Sequence, residues 1–506
     1  MIPLRRQHSG QVVILAVFSM LALIGICGVV VDVGVLYSTR RQMQTAADAA
    51  AIAGANALQT SQSSNYQVAA TDVAGLDGFS NGQNGVTVTV APPATDPGPA
   101  TLSYVEVNIT QSVPMYFLRV LGYNNFNVST QAFAGTVNGP ACIYALDPSA
   151  SDAVYLNGNI NINSSCGLID DSSSSTGLYA NGNGTIQTTS IGVVGNYNST
   201  SLGNMIFSPT PKTNIAPVPD PLAAVQEPTV PTCTEAATTV TGTKSISGIQ
   251  TTVNLTPAVY SGGISSSGAI ITTLNFATGT YGNGISFTGA IITNADFNPG
   301  QYQNGGGSGA AITLNGNNTV NFASGTYTFC GPLSISGNVS VTLQPGLYYG
   351  GISITGNNTV TFEPGTYILA GGGLSVTGNS TLSGTGITFY NTSGLGGYTP
   401  INLTGNETAN FSAPTSGPLK GMLFFQDRSI AYSSSNGSTV EGNSSSTFNG
   451  AVYFPTTNLT YLGNSSSSGY TFLIADKISI VGNSELGDNY TLLTGGSPVA
   501  SSTLYE

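Results

Sequence analysis

The sequence predicts a mainly β protein: a right-handed parallel β-helix, preceded by a long N-terminal helix that starts in a membrane and by a small α+β unit. Three observations predict it. An apolar, uncharged run lies near the N-terminus; a repeat of about 20 residues fills the region after Pro140; and Gly, Ser, Thr and Asn replace charge at the surface. Of 506 residues 65 are glycine, only 6% are charged, Trp is absent and there is one His. Such a chain does not read as a charge-coated cytosolic enzyme, and with 40% apolar residues it can still bury a large core. The expected organisation is a cytoplasmic tip (1–10), a transmembrane helix (11–31), an Ala-rich continuation (32–60), the α+β unit (61–137) and the β-helix (138–506), interrupted by a Pro-rich excursion (208–233).

The 21 residues Gln11 to Val31, QVVILAVFSMLALIGICGVVV, carry no charge. At about 1.5 Å per residue they cross a bilayer core of about 30 Å. The run is longer than the ~7–15 residues of a signal-peptide core, and no small-x-small cleavage site comes after it. Ile26 stands where lipoprotein processing at Cys27 wants a small residue, and Leu15 where prepilin-type cleavage after Gly10 wants a glutamate. An uncleaved single-pass anchor is the expectation. Arg5 and Arg6 direct the N-terminus to the cytoplasm, although Arg40 and Arg41 reduce the asymmetry.

The helical signal continues past the span, since DVGVLYSTRRQMQTAADAAAIAGANALQ has no proline and is rich in alanine, the best helix former. One helix of about 50 residues results, roughly 75 Å long. Small residues recur every fourth position at Ala46, Ala50, Gly54 and at Ala47, Ala51, Ala55, so another backbone can approach closely. Gln44 and Asp48 lie one turn apart on one face. Gln44, Ala47, Asp48, Ala50, Ala51 and Gly54 are therefore the candidate packing residues. Two readings stand: this face meets a partner's helix, or it packs on the protein's own strands. Strand-like alternation comes next in Gly85–Pro92, Ser103–Thr110 and Phe126–Ala134, with Val113–Gly122 expected as a short amphipathic helix.

Gly10 before the span, Asp32 at its exit, Gln44, Asp48 and the run AADAAAIAGANAL resemble the N-terminal segment of the TadE/TadG-like Flp pilus-assembly family. The strands around VPMYFLRVLG are similar to the segment after the long helix in TadG-type members, and a long helix leading into a small sheet is also how pilins are built. The resemblance covers about the first 137 residues. It implies a single-pass envelope protein associated with tight-adherence pilus machinery, with other pilus-assembly proteins as partners through the N-terminal helix. It implies no enzymatic activity for this segment.

Beyond Pro140 a turn-and-tyrosine unit recurs as TPAVY, ATGTY, NPGQY, ASGTY, QPGLY and EPGTY, ending at Tyr260, Tyr281, Tyr302, Tyr327, Tyr348 and Tyr367. A second marker, apolar-x-Gly-Asn, recurs with glycines at 316, 337, 356, 378, 405, 442, 463 and 482. Short strand-like pieces lie between. Each coil can bury its apolar side chains only between neighbours, which is the logic of a stacked solenoid. The prolines of Ser208–Cys233 cannot donate ladder hydrogen bonds, which puts that segment outside the coil.

Cys27 lies in the span, leaving Cys142, Cys166, Cys233 and Cys330 for two disulfides in an oxidising compartment. Cys142 and Cys166 are about one coil apart, and Cys233 with Cys330 would pin the excursion. No cofactor or metal site is expected: there is no C-x-x-C, and the one His, His8, precedes the span. DPSAS (Asp147–Ser151) matches a D-x-S-x-S metal motif, but its surroundings read as coil, so a first-rung turn is the preferred reading. For catalysis the best group is Asp427 and Arg428 with Lys420, yet adjacent strand residues face opposite ways. The many Asn-x-Ser/Thr triplets read as turn composition. No basic patch for nucleic acid exists outside the N-terminus.

The functional expectation is a non-enzymatic envelope protein of Flp/Tad-type pilus assembly or surface attachment. It is placed in the bacterial inner membrane, with the N-terminus cytoplasmic and the bulk of the chain in the periplasm or outside the cell. The alternative is an anchored carbohydrate-binding or carbohydrate-processing β-helix, and a surface glycan is the further partner considered.

Overall fold

A computed structural model of the protein describes residues 9–505 apart from 60–65, 96–103, 139–140, 165, 199–202, 216, 234–241, 256–258, 261, 277–279, 282–283, 304–309, 395, 442, 444, 464–469 and 487–499. It is mainly β, with 53% strand. Two compact units make up the chain: Met1–Asn138 with Ala500–Glu506, and Gly139–Val499.

In the first unit a single helix α1 runs unbroken over Ser9–Gln59, 51 residues, as the absence of proline allows. A second helix, α2 (Tyr66–Leu76), was not expected from the sequence. Three antiparallel strands come next, β1 (Val86–Ala91), β2 (Tyr104–Pro114) and β3 (Asn125–Asn138). Val105, Val107 and Ile109 alternate onto the buried face, where they join Met43 and the alanines of α1 and α2 in one core. The expected helix at Val113–Gly122 is corrected. Val113 and Pro114 still pair with Phe126 and Asn125, which leaves space for only a 3-10 turn, Leu118–Leu121, closed by Gly122 at φ 94°.

The fourth strand of this sheet is Ala500–Tyr505, antiparallel to β3 from Phe133↔Tyr505 to Asn138↔Ala500. The expected solenoid boundary of 138–506 therefore fails at its C-terminal end. Six residues without a repeat marker gave no sign that the chain comes back to its first sheet. The whole solenoid is thus an insertion between two neighbouring strands.

The second unit is a parallel β-solenoid of about 14 turns over residues 141–481. Columns of apolar residues stack in register, for example Ile312, Leu333, Ile352 and Leu374. Tyr260, Tyr281 and Tyr302 also form a column, but the column then passes through Phe329 to Tyr348, while Tyr327 lies on a second line that runs from Gly300 through Gly346 to Tyr367. The turn-and-tyrosine unit has a direct physical meaning. Tyr302, Tyr327, Tyr348 and Tyr367 each donate their hydroxyl to the carbonyl four residues earlier, on Asn298, Ala323, Gln344 and Glu363, at 2.6–2.9 Å. Each ring fills the core while its hydroxyl satisfies a turn carbonyl. The Gly-Asn marker is equally constrained: Gly337, Gly356 and Gly378 stack in register, and a Cβ on Gly356 (φ 102°) would lie 2.7 Å from the Gly337 carbonyl oxygen.

Stacking order is not chain order. The rung containing Thr471–Leu486, the last in sequence, pairs on its far side with Ala141–Ala145 and Val154–Ser164, the first in sequence. Rungs 167–187 and 191–208 then continue outward from there. The coil that starts at Lys244 consequently begins at the opposite end of the stack. The Pro-rich segment makes the connection, and its contacts track the rungs in spatial order. Val218 N–H donates to Asp171, Asp220 accepts from the Tyr453 hydroxyl, Leu222 and Val225 carbonyls accept from Arg428, and Cys233 is bonded to Cys330. From the Asp171 rung to the Cys330 rung is roughly 40 Å at ~4.8 Å per strand, and the chain from Val218 to Cys233 reaches about 45 Å when extended. The prolines suit this strap because it needs few donors of its own.

Candidate assembly surface and anchor of the N-terminal unit

Among the described residues one helix is long and apolar enough to cross a membrane. Val13 to Val31 lie exposed apart from Gly28. In water such a surface is unstable; in lipid it is the expected one.

At the end of this run Asp32 is fully buried. Its carboxylate accepts three backbone hydrogen bonds, from Tyr116 N–H (3.0 Å), Phe117 N–H (3.0 Å) and Leu118 N–H (2.7 Å). A buried charge needs such compensation, and these amides are the orphan donors that open the 3-10 turn. One helical turn earlier, Gly28 faces the Phe117 ring, whose Cγ would be 2.7 Å from a Cβ on that glycine. The loop between β2 and β3 is thereby locked to the helix. Sequence reading singled out Asp32 and the VPMYFLRVLG segment separately; that they bond each other is a long-range contact that no local pattern displays.

The small-residue face is occupied from within the chain. Ala46, Ala47, Ala50, Ala51 and Ala55 are buried in the core shared with α2 and the sheet, and a Cβ added to Gly54 would lie 3.0 Å from Val105 Cγ1 and 3.3 Å from Ala70 Cβ. Of the two readings of this face, the structure adopts packing on its own strands and α2. Gln44 is likewise tied inward: its amide donates to Asp48 Oδ1 at 2.8 Å and to the Gln131 carbonyl of β3 at 3.0 Å. The positions left exposed on this part of α1 are polar or aromatic, Tyr37, Ser38, Arg40, Arg41, Gln42 and Thr45.

In the solenoid Arg428 serves the strap. Arg428 donates Nε to the Tyr453 hydroxyl (2.8 Å) and its two terminal nitrogens to Val225 and Leu222 carbonyls (3.0 and 2.7 Å), and it pairs with Glu227 at 3.4 Å. It also lies over the Phe425 and Tyr453 rings. Asp427 accepts from Ser429 N–H and the Thr392 hydroxyl, so these two residues hold a loop and a strap. Lys420 is part-way buried on a turn at a different point of the chain. Asp147 accepts from Ser149 and Ala150 N–H, an Asx turn. That turn belongs to an interior rung rather than the first one, because Asp147 N–H donates to the Asp476 carbonyl. Among the described residues no group of acidic, His or Cys side chains is placed to hold a metal. Cys142 is bonded to Cys166 and Cys233 to Cys330, each with Cα atoms 5.6 Å apart, within disulfide range.

Burial shapes the acids around the first chain-order rungs. Asp170 is pushed up to about 7, first by burial and then by Asp171 and Asp147, against the lowering effect of the Ser172 N–H. Asp476 is pushed up to about 6, also by burial first.

The N-terminal unit carries the likeness to known proteins. Residues 10–57 match the Flp pilus-assembly TadE/G-like family and residues 34–134 match the Tad-like Flp pilus-assembly family. The two matches together run from the first turn of α1 to within β3, and support a place in Flp/Tad-type pilus assembly. No curated protein and no solved structure matches the chain.

Proposed function

We propose that this chain is a non-catalytic, membrane-anchored component of Flp/Tad-type pilus assembly. Gln11–Val31 spans the inner membrane with Arg5 and Arg6 inside, and the solenoid is held outside the cytoplasm as a rigid display or attachment element. The observation that carries the reading is that the residues that match pilus-assembly families are the ones that build the helix and the first three strands of its clamped sheet. Oxidised cysteine pairs and a surface made of Ser, Thr, Asn and Gly suit an exported unit. The use of Arg428 and Asp427 as structural ties supports a role without catalysis.

Because the small-residue face is filled internally, partner contacts fall to the exposed stripe around Tyr37, Arg40, Arg41 and Thr45. In a host that makes such pili, replacing the span by a cleavable signal peptide should release a folded solenoid and abolish pili. Undiminished piliation by the released form would overturn the proposal. A reporter after Glu506 should be active only outside the cytoplasm, and activity inside would reverse the topology.

A surface glycan is the second partner class. Its best location is the outward ladder of Asn159, Asn183 and Asn204 beside the stacked rings of Tyr155 and Tyr179. Glycan binding that Tyr179→Ala removes would support it, and binding that survives this change would place the glycan elsewhere.

A further inference from the structure

The β2–β3 connection has an unusual surface. Tyr116 is 65% exposed, Val120 87%, Leu121 70% and Tyr123 61%, with Phe117 and Phe126 also open. Soluble proteins rarely gather so many large apolar side chains in eleven residues without something to cover them. The loop is nevertheless well formed. Met115 N–H donates to the Asn124 carbonyl across its base, Gly122 closes the 3-10 turn, and Asp32 takes three of its amides.

Its position along α1 identifies what covers it. Phe117 packs on Gly28, four residues and about 6 Å inside the apolar run from Asp32. The exposed patch is therefore continuous with the lipid-facing surface of the helix and lies at the depth of its last apolar turn. Aromatic and aliphatic side chains flanked by one exposed cation, Arg119, are the composition of a segment seated at the boundary between headgroups and acyl chains. We infer that residues 115–124 form a second membrane contact, an interfacial hook inserted in the leaflet that α1 leaves, with Val120 and Leu121 in the acyl region and Arg119 among the headgroups. Asp32 is then the hinge pin of this device: its carboxylate spares the amides of a loop entering an environment with few donors or acceptors. The span and the hook together fix the tilt and rotation of α1, as a lone helix cannot.

The inference rests on Gln11–Val31 being a membrane span, and the test separates the two. Full-length protein with Cys27→Ser, its other four cysteines paired, is labelled with an environment-sensitive fluorophore at one of three positions and reconstituted in phosphatidylethanolamine/phosphatidylglycerol vesicles. Leu21→Cys reports the span, Val120→Cys the hook, and Leu76→Cys, at the end of α2, is the aqueous control. The expected result is blue-shifted emission at 21 and 120, with 21 quenched by deep nitroxide lipids, 120 by shallow ones, and only 76 quenched by iodide. Iodide quenching at 120 with 21 in lipid overturns the hook and leaves the span intact. Iodide quenching at both overturns the hook and the span. Position 120 protected from both iodide and nitroxides would mean cover by a second copy of the chain and also overturns the hook. Gly28→Leu, for which the Phe117 ring leaves no space, should move the probe at 120 into water while the probe at 21 stays in lipid; unchanged emission at 120 would count against the Gly28–Phe117 lock.

Discussion

The solenoid and the N-terminal unit bury their cores by opposite means. The solenoid uses large rings, repeated: tyrosines whose hydroxyls close their own turns, set in columns one rung apart. In the N-terminal unit the helices contribute mostly alanine and glycine, so that α1 lies directly against α2 and the valine- and isoleucine-lined sheet. In the first, a defect is flanked by equivalent rungs and its cost stays local. In the second, no neighbour repeats the contact, and bulk at one position must shift a whole helix. Repetition gives tolerance; close approach gives uniqueness.

The largest effect that would test this difference is truncation of a ring. Tyr348→Ala should cost about 3–5 kcal/mol in the solenoid transition and leave the N-terminal unit's transition in place, read by calorimetry of the full chain. Loss of both transitions would show that the two units do not melt independently.

pH should come next, and between pH 5 and 8 the groups it titrates are in the solenoid. Asp170, with an ordinary value of 3.8 and a folded value of about 7, favours the folded state when protonated. Its stabilising contribution is fully present below about pH 4 and is lost as pH rises through 7; Asp476 acts the same way up to about pH 6. The solenoid should thus be less stable at pH 8 than at pH 5 by an amount on the order of 2–4 kcal/mol, seen as a lower unfolding temperature. Asp170→Asn should flatten that dependence, and a slope unchanged by the substitution would remove Asp170 as its source.

Ala50→Leu addresses the other unit. Overpacking there should cost about 1–3 kcal/mol in the N-terminal transition only, measured by limited proteolysis at β3 or by melting. If stability is unchanged while pilus-protein recovery falls, the face meets a partner after all. The smallest effect should come from Tyr348→Phe, about 1 kcal/mol, because only the bond to the Gln344 carbonyl is lost. A cost as large as that of the alanine variant would mean that the hydroxyl bonds, rather than the stacked rings, hold the rungs together.

How much of the fold was legible in the sequence depended on range. Between Tyr260 and Tyr367 the turn-and-tyrosine unit recurs every 19–25 residues, so markers such as Tyr281, Tyr302, Gly337 and Gly356 record contacts that recur at a nearly fixed spacing. The long helix was legible for the same reason, since propensity and hydropathy are local properties of Ser9–Gln59. Cys142–Cys166 could be paired because one coil separates them.

Tertiary structure alone decided the contacts that occur once. Asp32 meeting the amides of 116–118, Gln44 meeting Gln131, Arg428 meeting the strap, the C-terminal strand pairing with β3, and the first rungs stacking on the last are each made between segments that carry no matching pattern. The alanine face shows the division most clearly. Its spacing determined that another backbone would come close, because only small side chains permit that approach. Which backbone came was settled by chain connectivity: α2 and β2–β3 are tethered to α1 by the same chain, so they reach the face at high effective concentration, ahead of a helix arriving from solution or from the membrane.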